Sequence, residues 1–506
     1  MLRNYQNTAI QKVFLNAENG IRKQIYQLPT GGGKSIIFSG LADQFLSKYY
    51  KSQVLIVVHR VELLKQCQQT FYKAFQRHST AITAGIKSIP HSSIYVGMVE
   101  TIFNRLKSNP GLFKNIGLLI VDEVHVANFN KLYEYFPSSL IVGVTATPIA
   151  ASKKNPLRNY FDEIVCGPQI PELIKEKYLV PNITYQLKGI NRKSLNIKRG
   201  EFDNFTMGKT FSNTRNVNNT VIAYEKHCEN KKTLVFNVNI EHSKLVNNAF
   251  LNSGYNSKHL DGNETPDRRK EILKWFAVTD NAILNSVGIL TMGFDEPSII
   301  NVIVNRATMS LPLWLQMTGR GSRLFENKHY FKIIDMGGNA LAHGDWGAYR
   351  DWSNVFYFPD EPSKSKGVAP IKICNNCEAI IPAQSMTCEY CGFKMERLVN
   401  YDRILPDFEL HTNNYNVFRQ VELNTKLGAK EWKTFFDILN HTITILKYRI
   451  GDNDFNEEFI DKSWKIFESK VIEWRKAILK PYSRNVKEFA YKKFKDELFK
   501  IKRMVA

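Results

Sequence analysis

Residues Gln27 to Ser35 read QLPTGGGKS, and this string restricts the chain more than any other. Three consecutive glycines let the backbone turn its N–H groups inward around an anion. A helix starting just after them adds positive potential from its N-terminus. The flanks agree: Gln24 to Leu28 is a short strand, and Ile36 to Tyr49 carries Ile37, Leu41 and Phe45 at helical spacing. In such a loop Thr30, Gly31, Gly32 and Gly33 wrap the phosphates of ATP. Lys34 reaches the β- and γ-phosphates, and the Ser35 hydroxyl ligates Mg²⁺. Leu28 stands where the phosphate-loop pattern has its first glycine. A glycine-rich turn with a chance Lys-Ser is the plain alternative, and the rest of the chain weighs against it.

Downstream of this loop runs a series of buried strands, each ending in polar residues. Gln53 to Val58 (QVLIVV) is a continuous apolar run of the parallel-sheet type and leads into HRVELLKQ. Ile94 to Val96 leads into GMVETIFNRL. Leu118 to His125 reads LLIVDEVH, a strand ending in two carboxylates: Asp122 can hold Mg²⁺ through water, and Glu123 can polarise the attacking water. Leu140 to Val144 ends in TATP. Open α/β sheets bind ligands at this end of their strands. Near the start, Arg3, Tyr5 and Gln6 precede a helical stretch from Thr8 to Ala17. The Gln6 amide suits the edge of adenine, and Tyr5 could stack on the base.

TGGGKS, DEVH and TATP, in this order, resemble motifs I, II and III of the superfamily 2 helicases. The resemblance covers roughly residues 3 to 340. It implies that RNYQ, with Arg3 and Gln6, reads adenine, and that HRVELLKQ and GMVETIF contact a nucleic-acid backbone. Pro168 to Val180 resembles the linker helix between two RecA-like domains. TMGFDEPSI, with Gly293 and Asp295, is similar to motif V, and QMTGRGSR, with Gln316, Arg320 and Arg323, is similar to motif VI. Arg320 and Arg323, three apart, could share a helical face and point across the interdomain cleft. A guanidinium there would stabilise charge building on the γ-phosphate. Val124 replaces the usual Ala of the second motif.

Cys374-x₂-Cys377 and Cys388-x₂-Cys391 lie further along, with Gly392 directly after the last cysteine. All four corners of a tetrahedron are thiolates, so the site is closed and holds structural Zn²⁺. The helicase-like core, the IDMGGN segment after motif VI and the Cys₄ element together resemble the RadD (YejH) group of bacterial repair helicases and their phage relatives. The cysteines here are fewer and the zinc region shorter. Beyond Asp402 the chain reads as helical. Its end interleaves Lys487, Lys492, Lys493, Lys495, Lys500, Lys502 and Arg503 with Phe489, Tyr491, Phe494 and Phe499. Such a mixture either tracks a strand and stacks its bases or forms an amphipathic helix with a solvated basic face.

The fold expected is therefore α/β: two tandem RecA-like parallel-sheet domains at 1–167 and 168–358, a zinc ribbon at 370–398 and a basic helical domain at 402–506. Lysine and arginine total 69 against 48 acidic residues, a net charge of +21, which favours a polyanionic partner. The resemblance points to DNA, single-stranded or branched, with RNA as the second reading. A remodeller of RNA and a nucleic-acid-binding protein that does not hydrolyse ATP are the alternatives. No run of about 18 apolar residues or signal-peptide pattern occurs, so a cytoplasmic protein without a membrane partner is expected.

Overall fold

The computed structural model describes residues 2–59, 61–86, 88–126, 129–150, 155–187, 192–198, 200–291, 294–359, 370–395, 435–440, 442–443, 457–477 and 483–505. The chain divides into two compact units, Met1–Arg397 and Leu398–Ala506.

The first unit opens with helix α1 (Asn4–Glu18) and strand β1 (Lys23–Gln27). Next come α2 (Lys34–Lys48), β2 (Gln53–Val58), α3 (Val61–Phe75), β3 (Thr80–Ile82), β4 (Ile94–Met98) and α4 (Val99–Ser108). Strands β5 (Ile116–Asp122), β6 (Leu140–Thr145) and β7 (Glu163–Cys166) complete the first sheet, with the short α5 (Asn130–Tyr133) between β5 and β6. The sheet is parallel, in the order β3-β4-β2-β5-β6-β1-β7. Val54 to Val58 and Leu118 to Val121 are wholly buried, as strands covered on both faces require.

After α6 (Ile170–Lys175) a second parallel sheet begins at β8 (Asn182–Gln186). A small antiparallel ribbon, β9 (Ile197–Lys198) with β10 (Glu201–Phe202), precedes α7 (Asn204–Phe211) and α8 (Thr214–His227). The core of this sheet is built by β11 (Thr233–Asn237), α9 (Ile240–Asn252), β12 (Ser257–Leu260), α10 (Pro266–Val278) and β13 (Ile283–Ser286). Then come β14 (Asn301–Asn305), α11 (Leu311–Thr318) and β15 (Phe331–Asp335), giving the order β12-β13-β11-β14-β15-β8. Two short helices, α12 (Asn339–His343) and α13 (Trp352–Tyr357), lead to the hairpin β16 (Ile371–Ile373) and β17 (Ile380–Pro382).

The second unit contains α14 (Glu457–Ala477) and α15 (Arg484–Val505). Trp464, Phe467 and Val471 on one helix, and Ala490, Phe494 and Leu498 on the other, recur at helical spacing and close a core with Phe435 and Leu439. Phe494 is fully buried and its ring stacks on Phe467 at 5.3 Å. Phe489 and Tyr491, partly buried, pack against the same core, so packing occupies these two rings together with Phe494. The side chains of Phe499, Lys500, Lys502 and Arg503, and residues 402–434, lie outside those described.

Several expectations are corrected. Helix α1 starts at Asn4, four residues earlier than Thr8, because Arg3 and Gln6 form a capping box in which the Arg3 N–H donates to Gln6 Oε1 at 2.9 Å. The linker helix stops at Lys175, well short of Val180, where Lys177 takes a left-handed φ of 59°. Strand β13 itself ends at Ser286, and the chain turns at Gly288 with φ 67° before the TMGFDEPSI segment. Among the described residues no helix is long and apolar enough to cross a membrane.

Candidate nucleotide site

Strands β5, β6 and β1 are neighbours, so their C-terminal ends bring the three polar segments together. The Leu28 N–H donates to the Thr145 carbonyl at 3.0 Å, tying the glycine loop to the tip of β6. Gly31 and Gly33 adopt φ of 86° and 87°, where a side chain would be strained. A Cβ on Gly32 would sit 2.8 Å from Leu28 Cγ. Leu28 is fully buried beneath the loop, which accounts for an apolar residue where the usual pattern has glycine. From outside, the Tyr5 hydroxyl donates to the Gly32 carbonyl at 2.6 Å. Gly33 caps α2, which places Lys34 and Ser35 in its first turn, beside Thr30 and the glycines.

Lys34 Nζ lies 3.6 Å from Glu123 Oε1. Burial first, and then the neighbouring Glu123 charge, push the Asp122 carboxyl upward, while Lys34 opposes them. A buried acid of this kind suits a divalent cation, whose charge would keep it ionised. Burial alone would also raise Glu123. Lys34, then His125, His59 and Arg320, outweigh that and hold its carboxyl below the usual range. Glu123 has a left-handed φ of 49°, an unusual conformation for a non-glycine residue at a strand tip.

The DEVH and TATP segments are joined directly. The Thr145 hydroxyl donates to the Thr147 carbonyl at 3.1 Å, so the contact of His125 Nδ1 with Thr145 Oγ1 at 2.8 Å requires the proton on Nδ1. The same Nδ1 faces Glu123 Oε2 at 3.4 Å. Burial lowers the His125 pKa, and the neighbouring Glu123 charge opposes it. Sequence reasoning assigns His125 no role, although its signal is present as the final residue of the DEVH string.

A cleft of about 290 Å³ opens beside the loop, lined by Arg3, Gln6, Gly33, Ile36, Ala74 and Phe75. Its volume suits a purine. Gln6 is buried there with its amide oxygen used by the Arg3 cap. Tyr5 is not placed to stack on a base, because its hydroxyl is committed to Gly32 and its ring meets Tyr178 edge-on at 5.5 Å. The Arg3 guanidinium lies 4.2 Å over the Tyr178 ring. The aromatic residue lining the cleft is Phe75, at the end of α3, which no sequence motif marks.

The second sheet's contribution meets the loop head-on. A Cβ on Gly31 would lie 3.3 Å from Ser322 Oγ, and one on Gly319 would lie 3.3 Å from Thr30 Cβ. The arginines do not share a helical face: α11 ends at Thr318 and a 3₁₀ turn, Gly319–Gly321, intervenes before Arg323. Arg320 is buried, donates to the carbonyls of Thr291 and Phe294, and its charge reaches Glu123. Arg323 instead pairs within its own domain, Nε to Asp295 Oδ1 at 2.8 Å. Asp295 is therefore engaged by Arg323, and Gly293 lies outside the described residues. Glu123 Oε2, Thr147 Oγ1 and Gln316 Nε2 are buried without a hydrogen-bond partner among the described residues. Such atoms, around a loop in which extra Cβ atoms would clash, fit ATP and Mg²⁺.

At the β16–β17 hairpin the Sγ atoms of Cys374, Cys377, Cys388 and Cys391 all lie within 4.8 Å of one another. Two of the separations are 3.8 Å (Cys374–Cys391) and 3.7 Å (Cys377–Cys388). A tetrahedron with Zn–S near 2.3 Å has edges of about 3.8 Å, so the cluster is compatible with zinc. Gly392 takes φ 71° after the last cysteine. The hairpin also docks on the second sheet. The Gln186 N–H donates to the Glu378 carbonyl at 3.1 Å, and the Glu378 carboxylate meets Lys226 Nζ at 2.9 Å and His227 Nε2 at 3.2 Å.

Comparison with known proteins agrees with this geometry. The family described as "Type III restriction enzyme, res subunit" matches residues 1–150, and "Helicase conserved C-terminal domain" matches residues 216–324. The chain belongs to the superfamily 2 helicases. It is similar to a 51.5 kDa protein of a Lactococcus phage (isolate 7-9), 27% identical over 76% of this chain and 81% of that one. It is also similar to "Putative ATP-dependent helicase IRC3" of Saccharomyces cerevisiae, 30% identical over 66% of this chain, and spans about half (51%) of that relative's length. Among solved structures, a fragment of an HsdR-type subunit of a type I restriction enzyme from Vibrio vulnificus YJ016 shares the fold. It has a TM-score of 0.54 and 22% identity over 75% of this chain and 70% of that one. This superfamily 2 chain thus carries both halves of an ATP-hydrolysing helicase core.

Proposed function

We propose that this chain couples ATP hydrolysis to movement on DNA, with single-stranded or branched DNA as the preferred substrate. One observation carries the reading: the turn that holds Arg320 meets the glycine loop, with Gly319 against Thr30 and Ser322 against Gly31, while Lys34 of that loop lies 3.6 Å from Glu123. The base and the arginine that would complete the site belong to different domains, 1–167 and 168–358. Hydrolysis therefore depends on how those domains sit.

In this mechanism the glycine loop and Lys34 hold the phosphates, while Ser35 and Asp122 hold Mg²⁺. Glu123 orients a water and takes its proton; His125, hydrogen-bonded to Thr145, stands 3.4 Å from the Glu123 carboxylate. Bound ATP supplies the phosphoryl group whose transfer to that water drives the cycle. Gln316, whose buried amide nitrogen has no hydrogen-bond partner among the described residues, and Arg320 balance charge developing on the phosphate. Arg323 acts through Asp295, shaping the motif V loop. Phe75 packs against the base. Zinc held by the four cysteines stiffens the hairpin on the second sheet. The DNA preference rests on the RadD-like order of core, IDMGGN segment and Cys₄ element, and the positive charge supports a nucleic-acid partner.

Phosphate release by the purified chain tests this reading, measured alone and with single-stranded, forked and duplex DNA and matched RNA. Slow turnover alone and strong stimulation by DNA are expected. Indifference to every nucleic acid, or stimulation by RNA and not DNA, would overturn it.

A further inference from the structure

After β15 the chain does not remain with the second sheet. Trp346 is buried beside the Gly319 turn that follows α11, its ring edge-on to Phe331 at 5.1 Å. The Arg350 guanidinium, almost wholly buried, donates to the carbonyls of His343, Asp345, Trp346 and Ala348 and so ties this approach into a knot. Helix α13 then crosses to the first sheet. Its Asp351 cap accepts from the Asn354 N–H at 2.9 Å.

One turn of α13 separates two anchors with different owners. Trp352 is buried in the apolar core of the second sheet, whereas Phe356 is buried in the core of the first. Around Phe356 the first domain builds a seat. Arg158, held by the carbonyls of Phe161 and Asp162, lies 5.7 Å over Phe356 and 5.3 Å over Tyr357. The Tyr357 hydroxyl donates to the Glu163 carboxylate on β7. Burial, and then Glu163, push the Tyr357 hydroxyl up to about 12, so it stays a donor.

The domains are thus joined twice, by the Pro168 to Val180 segment that contains α6 and by α13. A single flexible connection leaves two bodies free to rotate about every axis; two connections leave rotation about the line between them. We propose that Trp352, Phe356 and Tyr357 are positioning residues. By pinning the second domain to β7, α13 confines the domains to the motion that brings Arg320 to Glu123. None of the three touches the nucleotide cleft. The inference rests on the ATPase reading, yet its physical part can be tested without turnover.

The experiment uses the full chain with spin labels on exposed residues of the two domains, at positions 50 and 278. The variants are Phe356→Ala, Phe356→Leu and Tyr357→Phe. Interdomain distance distributions, equilibrium binding of a fluorescent ATP analogue and DNA-stimulated kcat are measured for each. Phe356→Ala is expected to broaden the distance distribution and lower kcat roughly ten- to a hundredfold. Nucleotide affinity should stay within about threefold of the parent, since the first domain keeps its loop. Phe356→Leu should restore most of both, and Tyr357→Phe, which removes one hydrogen bond, should show a smaller change of the same kind. An unchanged distance distribution in Phe356→Ala would overturn the proposal, as would a kcat loss matched by an equal loss of nucleotide affinity. If the parent chain hydrolyses no ATP, the functional reading fails and the distances alone decide this one.

Discussion

At the scale of single residues, Glu123 and Arg320 carry the sharpest expectations. Glu123→Gln keeps size and shape but replaces the base by a group that cannot accept the proton. ATP binding should persist while turnover nearly vanishes; stopped-flow binding and phosphate release measure the two separately. Near-normal turnover would remove Glu123 from the role. Arg320→Ala should slow turnover by roughly 10³ or more with a much smaller change in ATP affinity. Because Arg320 also satisfies the Thr291 and Phe294 carbonyls, Arg320→Lys is the needed control. A lysine that restores the fold but not the rate would separate charge geometry from packing. The loop and the acidic pair are legible in the sequence because their chemistry depends on adjacent residues. Tyr5 spends its contacts within the chain, and Phe75, which lines the cleft, carries no sequence motif, because which rings a fold leaves open beside a cleft is not written in adjacent residues. Tyr178, at the far end of the linker, takes Tyr5.

At the scale of elements, the first-sheet strands built on apolar runs such as QVLIVV are legible to within a residue or two, since such runs admit few other environments, whereas β3, β7, β8, β12 and β15, shorter or more polar, go unmarked. The linker helix is shorter than its sequence pattern suggests, because the chain turns just beyond it at Lys177, which periodicity does not register. The Cys₄ hairpin is also legible, but its docking through Glu378 to Lys226 and His227 is not, because those partners lie about 150 residues away. The hairpin has three buried side chains in its own core, two of them cysteines, so metal binding worth about 10–16 kcal/mol would dominate its folding. Cys388→Ser should therefore release zinc and expose the hairpin to protease while the two parallel sheets stay folded. Atomic absorption and limited proteolysis check this. A parent protein free of zinc together with an unchanged variant would refute the metal site.

At the scale of the whole molecule, charge is the property to test. The net +21 implies that DNA binding releases counterions, so affinity should fall steeply with salt, log K declining by about 0.7 per neutralised phosphate for each tenfold rise on single strands. The basic tail looks like the natural source of that term, and the structure argues otherwise. Most of the positive surplus lies in residues 1–397, and on α15 Phe489, Tyr491 and Phe494 pack on the unit's own core. Lys487 is paired with Glu468 at 3.0 Å, while Lys493 and Lys495 lie over Phe489 and Tyr491 at 5.9 and 5.7 Å. Replacing Lys492, Lys493 and Lys495 together by glutamine removes charge without opening the core that Phe494 and Leu498 fill. The salt slope for single-stranded DNA, measured by fluorescence anisotropy between about 50 and 200 mM salt, should then match the parent's within error. A slope reduced by about 0.7 for each substituted lysine would instead place α15 on the strand, with Lys492, Lys493 and Lys495 as its phosphate contacts.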